Sequence, residues 1–445
     1  MRHPLALLGV ALATAMAALF LVLLLLDSFG YLNNPYFGLL LFIAVPAAFV
    51  LGLILIPIGA RLESRRQRRS PDAPPADWPV LDLRIARQRK WLGAFVVLTT
   101  VNLVLLSMAS YGAVHYMEST EFCGQVCHTS MEPQFMAHQA GPHARVPCVS
   151  CHVGPGVSAL VESKMAGTRQ LWQVATNNVP TPIPSPVHTL RPARDTCEQC
   201  HWPEYFHGDE ARVIREYADD EQNTETVTNL TLFVGGGSST LGVGSGIHWH
   251  MNLLNQIEYI TTDDKREVIP WVQLRQPDGT VLEFVVEGTT PEQLAAGERR
   301  RMDCMDCHNR PAHTFYATPE RAVNAAMAQG RIPRDLPFAR REAVAAVSAS
   351  YPDRTAALRA IAQRLREHYR AYPSVDGRRV ERAIEATQDV WARNVFPDMK
   401  VTWGTYPNQI GHDPALGCFR CHDDNHQTKD GRVIRQDCEL CHTMT

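Results

Sequence analysis

Twelve cysteines fall into six local pairs, and a histidine follows the second cysteine of every pair. The pairs are Cys123/Cys127 with His128, Cys148/Cys151 with His152, Cys197/Cys200 with His201, Cys304/Cys307 with His308, Cys418/Cys421 with His422 and Cys438/Cys441 with His442. No cysteine lies before residue 123 and none is left over. In Cys-x-x-Cys-His the two thiols add to haem vinyl groups and the histidine becomes an axial ligand of the iron. Zinc pairs or thioredoxin-like dithiols would explain one such motif, but not six that consume every cysteine. Disulfides would not call for a histidine after each pair. The reading is therefore six covalently bound c-type haems. The first motif departs from the rest, with Gly124, Gln125 and Val126 between its cysteines.

The cysteine-free N-terminal part is apolar. Leu5–Leu26 has Thr14 as its one polar side chain, and Phe37–Ala60 and Trp91–Val114 carry no charge. Each is long enough to cross the roughly 30 Å hydrocarbon core as a helix. The first segment is longer than the apolar part of a signal peptide. Nine Lys/Arg against four Asp/Glu in residues 61–90 place that loop in the cytoplasm, while residues 28–36 carry none. The expected topology has a cytoplasmic N-terminus and everything after residue 115 outside. Ionisable side chains are absent from the spans, with Asp27 at an end and Asn102 the strongest polar group within, which argues against a transporter. Residues 116–445 hold 33 Lys/Arg and 41 Asp/Glu, a net of −8, which argues against nucleic-acid binding.

A second ligand for each iron must come from elsewhere. Eleven histidines remain outside the motifs once His3 is set aside. His143 stands five residues before Cys148, His188 nine before Cys197 and His412 six before Cys418. His207, His313 and His426 follow a motif histidine by six, five and four residues. His248 and His250 lie far from any motif and need the fold to bring them in. His368 reads as a surface residue, His115 as the end of the third span, and His138 stays open. Bis-histidine ligation sets low to moderate potentials, and a sulfur ligand raises one of them.

Several stretches of this part resemble the NapC/NirT family of membrane-anchored multihaem quinol dehydrogenases. They are Glu121-Phe122-Cys123, Cys127-His128 with Met131, and His143 before Cys148-Val149-Ser150-Cys151-His152. They continue through Lys164-Met165-Ala166-Gly167-Thr168-Arg169-Gln170, Pro184–His188, Arg191–Arg194 and Cys197–Pro203, and Cys304–His308 with His313 resembles that family's fourth haem motif. The resemblance implies a bacterial inner membrane, menaquinol or ubiquinol from the membrane quinol pool as donor, and a periplasmic cytochrome or reductase as acceptor. It also implies a first haem at the membrane surface with Met131 as ligand, and a second ligand for another haem from His313. Three departures stand out: three spans rather than one, six motifs rather than four, and about 100 residues between the third and fourth. Three spans followed by an enlarged multihaem part are similar to inner-membrane cytochromes of metal-respiring bacteria. Gln170 stands where small members have an acid near the quinol. Residues 157–174 set Val157, Leu160, Val161, Met165, Leu171 and Trp172 among Lys164, Arg169 and Gln170, an amphipathic helix suited to a membrane surface. On this reading Lys164 holds a quinol oxygen, Gln170 lies nearby and Glu132 is a proton acceptor. Cys123 follows Val114 by nine residues, which puts the first haem next to the quinol.

The fold expected is a membrane α-helical anchor of three spans plus an irregular, mostly α multihaem cytochrome c domain with a small β insertion. Its parts are the anchor (1–115), a haem domain for motifs one to three (116–208), a partly β insertion (209–300), the fourth motif (301–317), a helical segment (318–400) and a C-terminal dihaem segment (401–445). Within the insertion, Thr226–Val234 alternates, and Trp271–Leu274 and Val281–Val286 flank the turn Pro277-Asp278-Gly279. Thr318-Pro319-Glu320 starts the helical run and Ala356–Tyr369 is its longest stretch. Electron transfer from quinol is the leading function. The alternative is a terminal reductase of a small nitrogen or sulfur oxyanion with one open-site haem; no motif has Lys in place of His. A haem-based sensor would need a cytoplasmic output domain, and residues 61–90 are too short and too basic for one.

Overall fold

The computed structural model describes residues 3–29, 40–68, 82–154, 156–187, 191–202, 208–236, 246–251 and 254–445. The chain forms two compact units, Met1–His128 and Thr129–Thr445.

The first unit holds α1 (Pro4–Ser28), α2 (Val45–Arg68) and α3 (Ala86–Met117), with a π-helical turn at Leu40–Ala44 leading into α2. Among the described residues three helices are long and apolar enough to span a membrane, at Pro4–Leu26, Leu40–Arg66 and Ala86–Met117. They agree with the spans read from the sequence; residues 37–39 lie outside the described residues. Lipid offers no hydrophobic drive to bring helices together, so close approach depends on small residues. A Cβ at Gly9 would stand 2.7 Å from the Gly52 carbonyl oxygen, and one at Gly52 2.7 Å from the Ala13 nitrogen. The three helices meet at Phe20, Leu23, Leu41, Val45 and Ala109. Most other apolar side chains, such as Trp91, Phe95 and Leu98 on α3, face outward.

In the second unit α4 (His128–Ala140) and α5 (Val157–Ala175) come first. One antiparallel sheet has the order β1 (Glu210–Tyr217), β2 (Glu225–Leu232), β8 (His442–Met444). A second has the order β6 (Glu298–Arg301), β3 (Gln256–Thr261), β4 (Trp271–Arg275), β5 (Val281–Val286), β7 (His426–Gln427). The turn at Pro277-Asp278-Gly279 joins β4 to β5 as expected. Gly279 has φ +86°, and the Thr280 amide donates to Asp278 Oδ1 at 2.9 Å. The insertion is not closed on itself, because each sheet takes a short strand from beyond residue 420.

Four helices follow: α6 (Pro319–Ala328), α7 (Ala339–Ser348), α8 (Arg354–Tyr369) and α9 (Gly377–Ala392). Thr318 caps α6 by accepting from the Arg321 amide, with Pro319 in the first turn. Asp353 and Asp376 cap α8 and α9 in the same way. Helical spacing of small and branched residues builds one dry core, which includes Val323, Val347, Ile361, Leu365, Ile384 and Trp391. His368 is not the surface residue expected from the sequence: its ring lies against Phe338, Tyr369 and Tyr372, beside buried Glu342.

Candidate functional site

Each cysteine pair sits on a tight helical turn. Cys148–His152 and Cys304–Cys307 are α-helical, and Gly417–Arg420 and Cys438–Leu440 are 3₁₀ turns. In the third motif the helix Ala193–Cys197 runs into a turn closed by the His201 amide on the Cys197 carbonyl at 2.8 Å. Residues three apart on such turns share one side, so both sulfurs face the same way. The first motif has one residue more, and the chain absorbs it with a π-helical turn at Phe122–Val126. A π turn closes on the fifth residue rather than the fourth, so it is one residue wider. That keeps Cys123 and Cys127 about one turn apart despite the extra residue. This turn directly follows α3: Phe122 packs edge-on against Tyr116 at 5.3 Å, and Tyr116 meets Phe42 at 5.8 Å.

None of the twelve cysteines forms a disulfide. Among the described residues no group of three or more His, Cys, Asp and Glu is placed to hold a bare metal ion. Ten histidines form five ring pairs instead, each with one motif histidine. Ring centroids are 6.1 Å apart for His152 and His313, 6.1 Å for His201 and His143, and 6.2 Å for His308 and His248. They are 5.8 Å apart for His422 and His250 and 6.1 Å for His442 and His412. Two imidazoles bound to opposite sides of one metal at about 2 Å each would have centroids roughly 6 Å apart. Each pair joins one motif histidine to one histidine from elsewhere, which is the arrangement a six-coordinate haem requires.

The second nitrogens agree. Nδ1 of His313, His143, His250 and His422 meets a backbone carbonyl oxygen, of Gln134, Pro311, Ile247 and Arg435, at 2.7–3.0 Å. That contact fixes the tautomer and leaves Nε2 for iron. Burial pushes His152, His248, His250 and His308 below the usual imidazole range, and His313 down to about 4. All five are therefore neutral at physiological pH, the form that binds metal. The residues fit haem.

Local structure explains how His248 and His250 come to face two different motif histidines, His308 and His422. They lie on the 3₁₀ turn Ile247–Met251. At three residues per turn, positions two apart point to different sides. β2 positions the last motif, since Leu232 pairs with His442 across the β2–β8 ladder.

The thiols also form a succession. Cys151 has Cys200 as a neighbour, and Cys197 has Cys304. Cys307 of the fourth motif neighbours Cys418 and Cys421 of the fifth. Cys418 in turn neighbours Cys441. Motifs two to six are thus adjacent in space in the order of the chain. Arg420 Nη2 donates to the Asp306 carbonyl, tying the fifth motif to the fourth. Behind the fourth, Tyr259 donates to buried Asp306 at 2.5 Å.

Other residues singled out from the sequence have different surroundings. His426 is fully buried, with Nδ1 on Asp423 Oδ1 at 2.8 Å and Nε2 on the Ile269 carbonyl at 2.7 Å, so neither nitrogen is left for iron. His188 and His207 lie outside the described residues. His128 begins α4, and Met131 stands three residues on, half-buried. His138 is buried 6.1 Å from the His313 ring, with Nε2 on the Val146 carbonyl. Glu132 is bound by Arg354 at 2.6 Å. On α5, Lys164 is half-buried and Gln170 exposed, while Val161, Met165, Leu171 and Trp172 are all more than half exposed. Sequence reasoning missed Arg354 and the Tyr259–Asp306 pair; the only signal was an acid inside the fourth motif.

Residues 86–184 match the NapC/NirT cytochrome c family, N-terminal region. The chain is also 40% identical to the cytochrome c-type protein ImcH of Geobacter sulfurreducens, over 99% of this chain and 88% of that protein. The chain belongs to the NapC/NirT cytochrome c family. No solved structure matches it. As a NapC/NirT member it is a membrane c-type cytochrome with covalently bound haem, and the matched span runs from α3 through the first two cysteine pairs and α5. The resemblance in the motif residues and this match agree on the same stretch.

Proposed function

We propose that this cytochrome oxidises quinol at the outer face of the inner membrane and passes electrons through six covalent haems to a periplasmic acceptor. The five histidine pairs at 5.8–6.2 Å carry the proposal. Bound haem supplies one-electron carriers, while a quinol gives up two electrons and two protons. His152 with His313, His201 with His143, His308 with His248, His422 with His250 and His442 with His412 are the proposed axial pairs. His128 and Met131 are the proposed ligands at the first motif. Five closed pairs leave the open-site reductase without support from motifs two to six. His426 is left out of the ligand set because hydrogen bonds occupy both its nitrogens.

On the donor side, the apolar side chains exposed on α5 suit a membrane surface. Lys164 holds a quinol oxygen there, with Gln170 on the same helix. Glu132 is the proposed proton acceptor, with Arg354 bound to its carboxylate at 2.6 Å. The test is reduction of purified protein by a reduced menaquinol analogue, with Lys164→Ala beside the parent. The variant should be slowed about tenfold or more, the equivalent of one lost hydrogen bond to a charged group. Its haem count and its reduction by dithionite should be unchanged. Equal quinol rates would remove Lys164 from the site.

A further inference from the structure

Arg310 lies in the loop between His308 and His313, and 92% of its surface is buried (8% exposed). A guanidinium carries its charge at any physiological pH, and burying it without an anion costs several kcal/mol. Among the described residues no carboxylate pairs with it. Its guanidinium carbon stands 3.9 Å from the centre of the Tyr406 ring and 5.8 Å from that of Phe315. One nitrogen reaches Gln134 Oε1 at a long 3.4 Å, and Nε has no hydrogen-bond partner. Aromatic faces hold a cation in place but do not neutralise it.

The neighbours say which haem is closest. Gln134, which Arg310 touches, also receives Nδ1 of His313 on its carbonyl oxygen. The side chain therefore turns toward the haem of His152 and His313, although its loop starts at the fourth motif. The anions that each haem brings are its two propionates, and a planar guanidinium fork matches a carboxylate with two parallel hydrogen bonds.

We propose that Arg310 binds a propionate of the haem attached at Cys148 and Cys151 and raises that haem's reduction potential. The proposal rests on the pairing of His313 with His152. A fixed positive charge beside the macrocycle favours the form that holds one more electron.

The experiment is a potentiometric titration of the purified holoprotein, comparing the parent with Arg310→Gln and Arg310→Lys. With Gln, one of the six one-electron steps should fall by a tenfold change or more in the reduced-to-oxidised ratio, about 59 mV. With Lys, which keeps the charge, the same step should stay within about threefold, and haem count should be unchanged in both. A His313→Ala background marks the haem concerned, because that haem becomes high-spin. Unmoved potentials, equal movement of all six steps, or movement of a step whose haem stays low-spin in that background would overturn the proposal. If His313→Ala leaves every haem low-spin, the ligand pairing fails, a result separable from any shift seen with Arg310→Gln alone. Should Arg310→Gln fail to mature, Arg310→Lys decides through the propionate-bending band in resonance Raman spectra. A shift of that band is expected, and an unchanged band counts against the contact.

Discussion

The helices α6–α9 and the stretch Thr129–Trp202 are of similar length, yet they bury apolar surface in opposite ways. In α6–α9 and their loops, Val323, Val347, Ile361, Leu365, Ile384 and Trp391 are each at most 3% exposed and pack on one another. Between Thr129 and Trp202, the only buried hydrophobic residues among those described are Ala137 and Ala193. A chain that leaves so little in a core cannot offset its conformational entropy with side chains alone. The same stretch holds two cysteine pairs, Cys148/Cys151 and Cys197/Cys200, with His143 half-buried and His152 and His201 exposed. The lesson is that α6–α9 fold around side chains, whereas the cysteine-bearing stretch is built to fold around haem.

That contrast can be broken most severely at a cysteine pair. Replacing Cys148 and Cys151 by serine should remove one haem from the denatured mass. It should also expose residues 129–202 to limited proteolysis while α6–α9 stay protected. Parent-like protection of the stretch would mean that haem is not its core.

The converse variant is Trp391→Ala. Trp391 is 1% exposed at the centre of the helical core, so its loss should cost about 3–5 kcal/mol in denaturant unfolding followed by far-UV circular dichroism. All six haems should remain attached. A stability change below about 1 kcal/mol would make this core less important than its burial implies.

A smaller and more local effect is expected from His313→Ala. One haem other than that of His308 should turn high-spin in electron paramagnetic resonance, with no loss of covalent haem. A fully low-spin spectrum would reassign the ligand. Smallest is Tyr259→Phe, which removes the hydroxyl that donates to Asp306 at 2.5 Å. It should cost about 1–3 kcal/mol, because a buried carboxyl oxygen loses its partner. An unchanged unfolding midpoint would show that Asp306 finds another donor.

Much of this was legible in the sequence, for identifiable reasons. The cysteine pairs depend only on local spacing, and the spans only on length and composition. His143, His313 and His412 stand close to motifs, but none meets the histidine of its neighbouring motif: His143 meets His201, His313 meets His152 and His412 meets His442. His248 and His250 were recognisable as a pair, but their division between two motifs depends on a 3₁₀ turn. His426 looked equivalent to them. Its fate is set by Asp423 and by the Ile269 carbonyl, which lies 157 residues away in sequence. Strands of two and three residues, such as β7 and β8, carry no periodic signal at all. The extra residue of the first motif was plain, whereas the π turn that accommodates it is a backbone choice that composition does not announce.

The central proposal is that electrons from quinol reach the other haems by way of the first one, whose cysteines follow directly on α3. The most direct measurement is anaerobic stopped-flow reduction by a menaquinol analogue, comparing the parent with a variant in which Cys123 and Cys127 are both serine. The account predicts that quinol reduces the parent, and that the variant keeps five haems, is reduced by dithionite and is not reduced by quinol. Reduction of the variant by quinol at the parent's rate would contradict it.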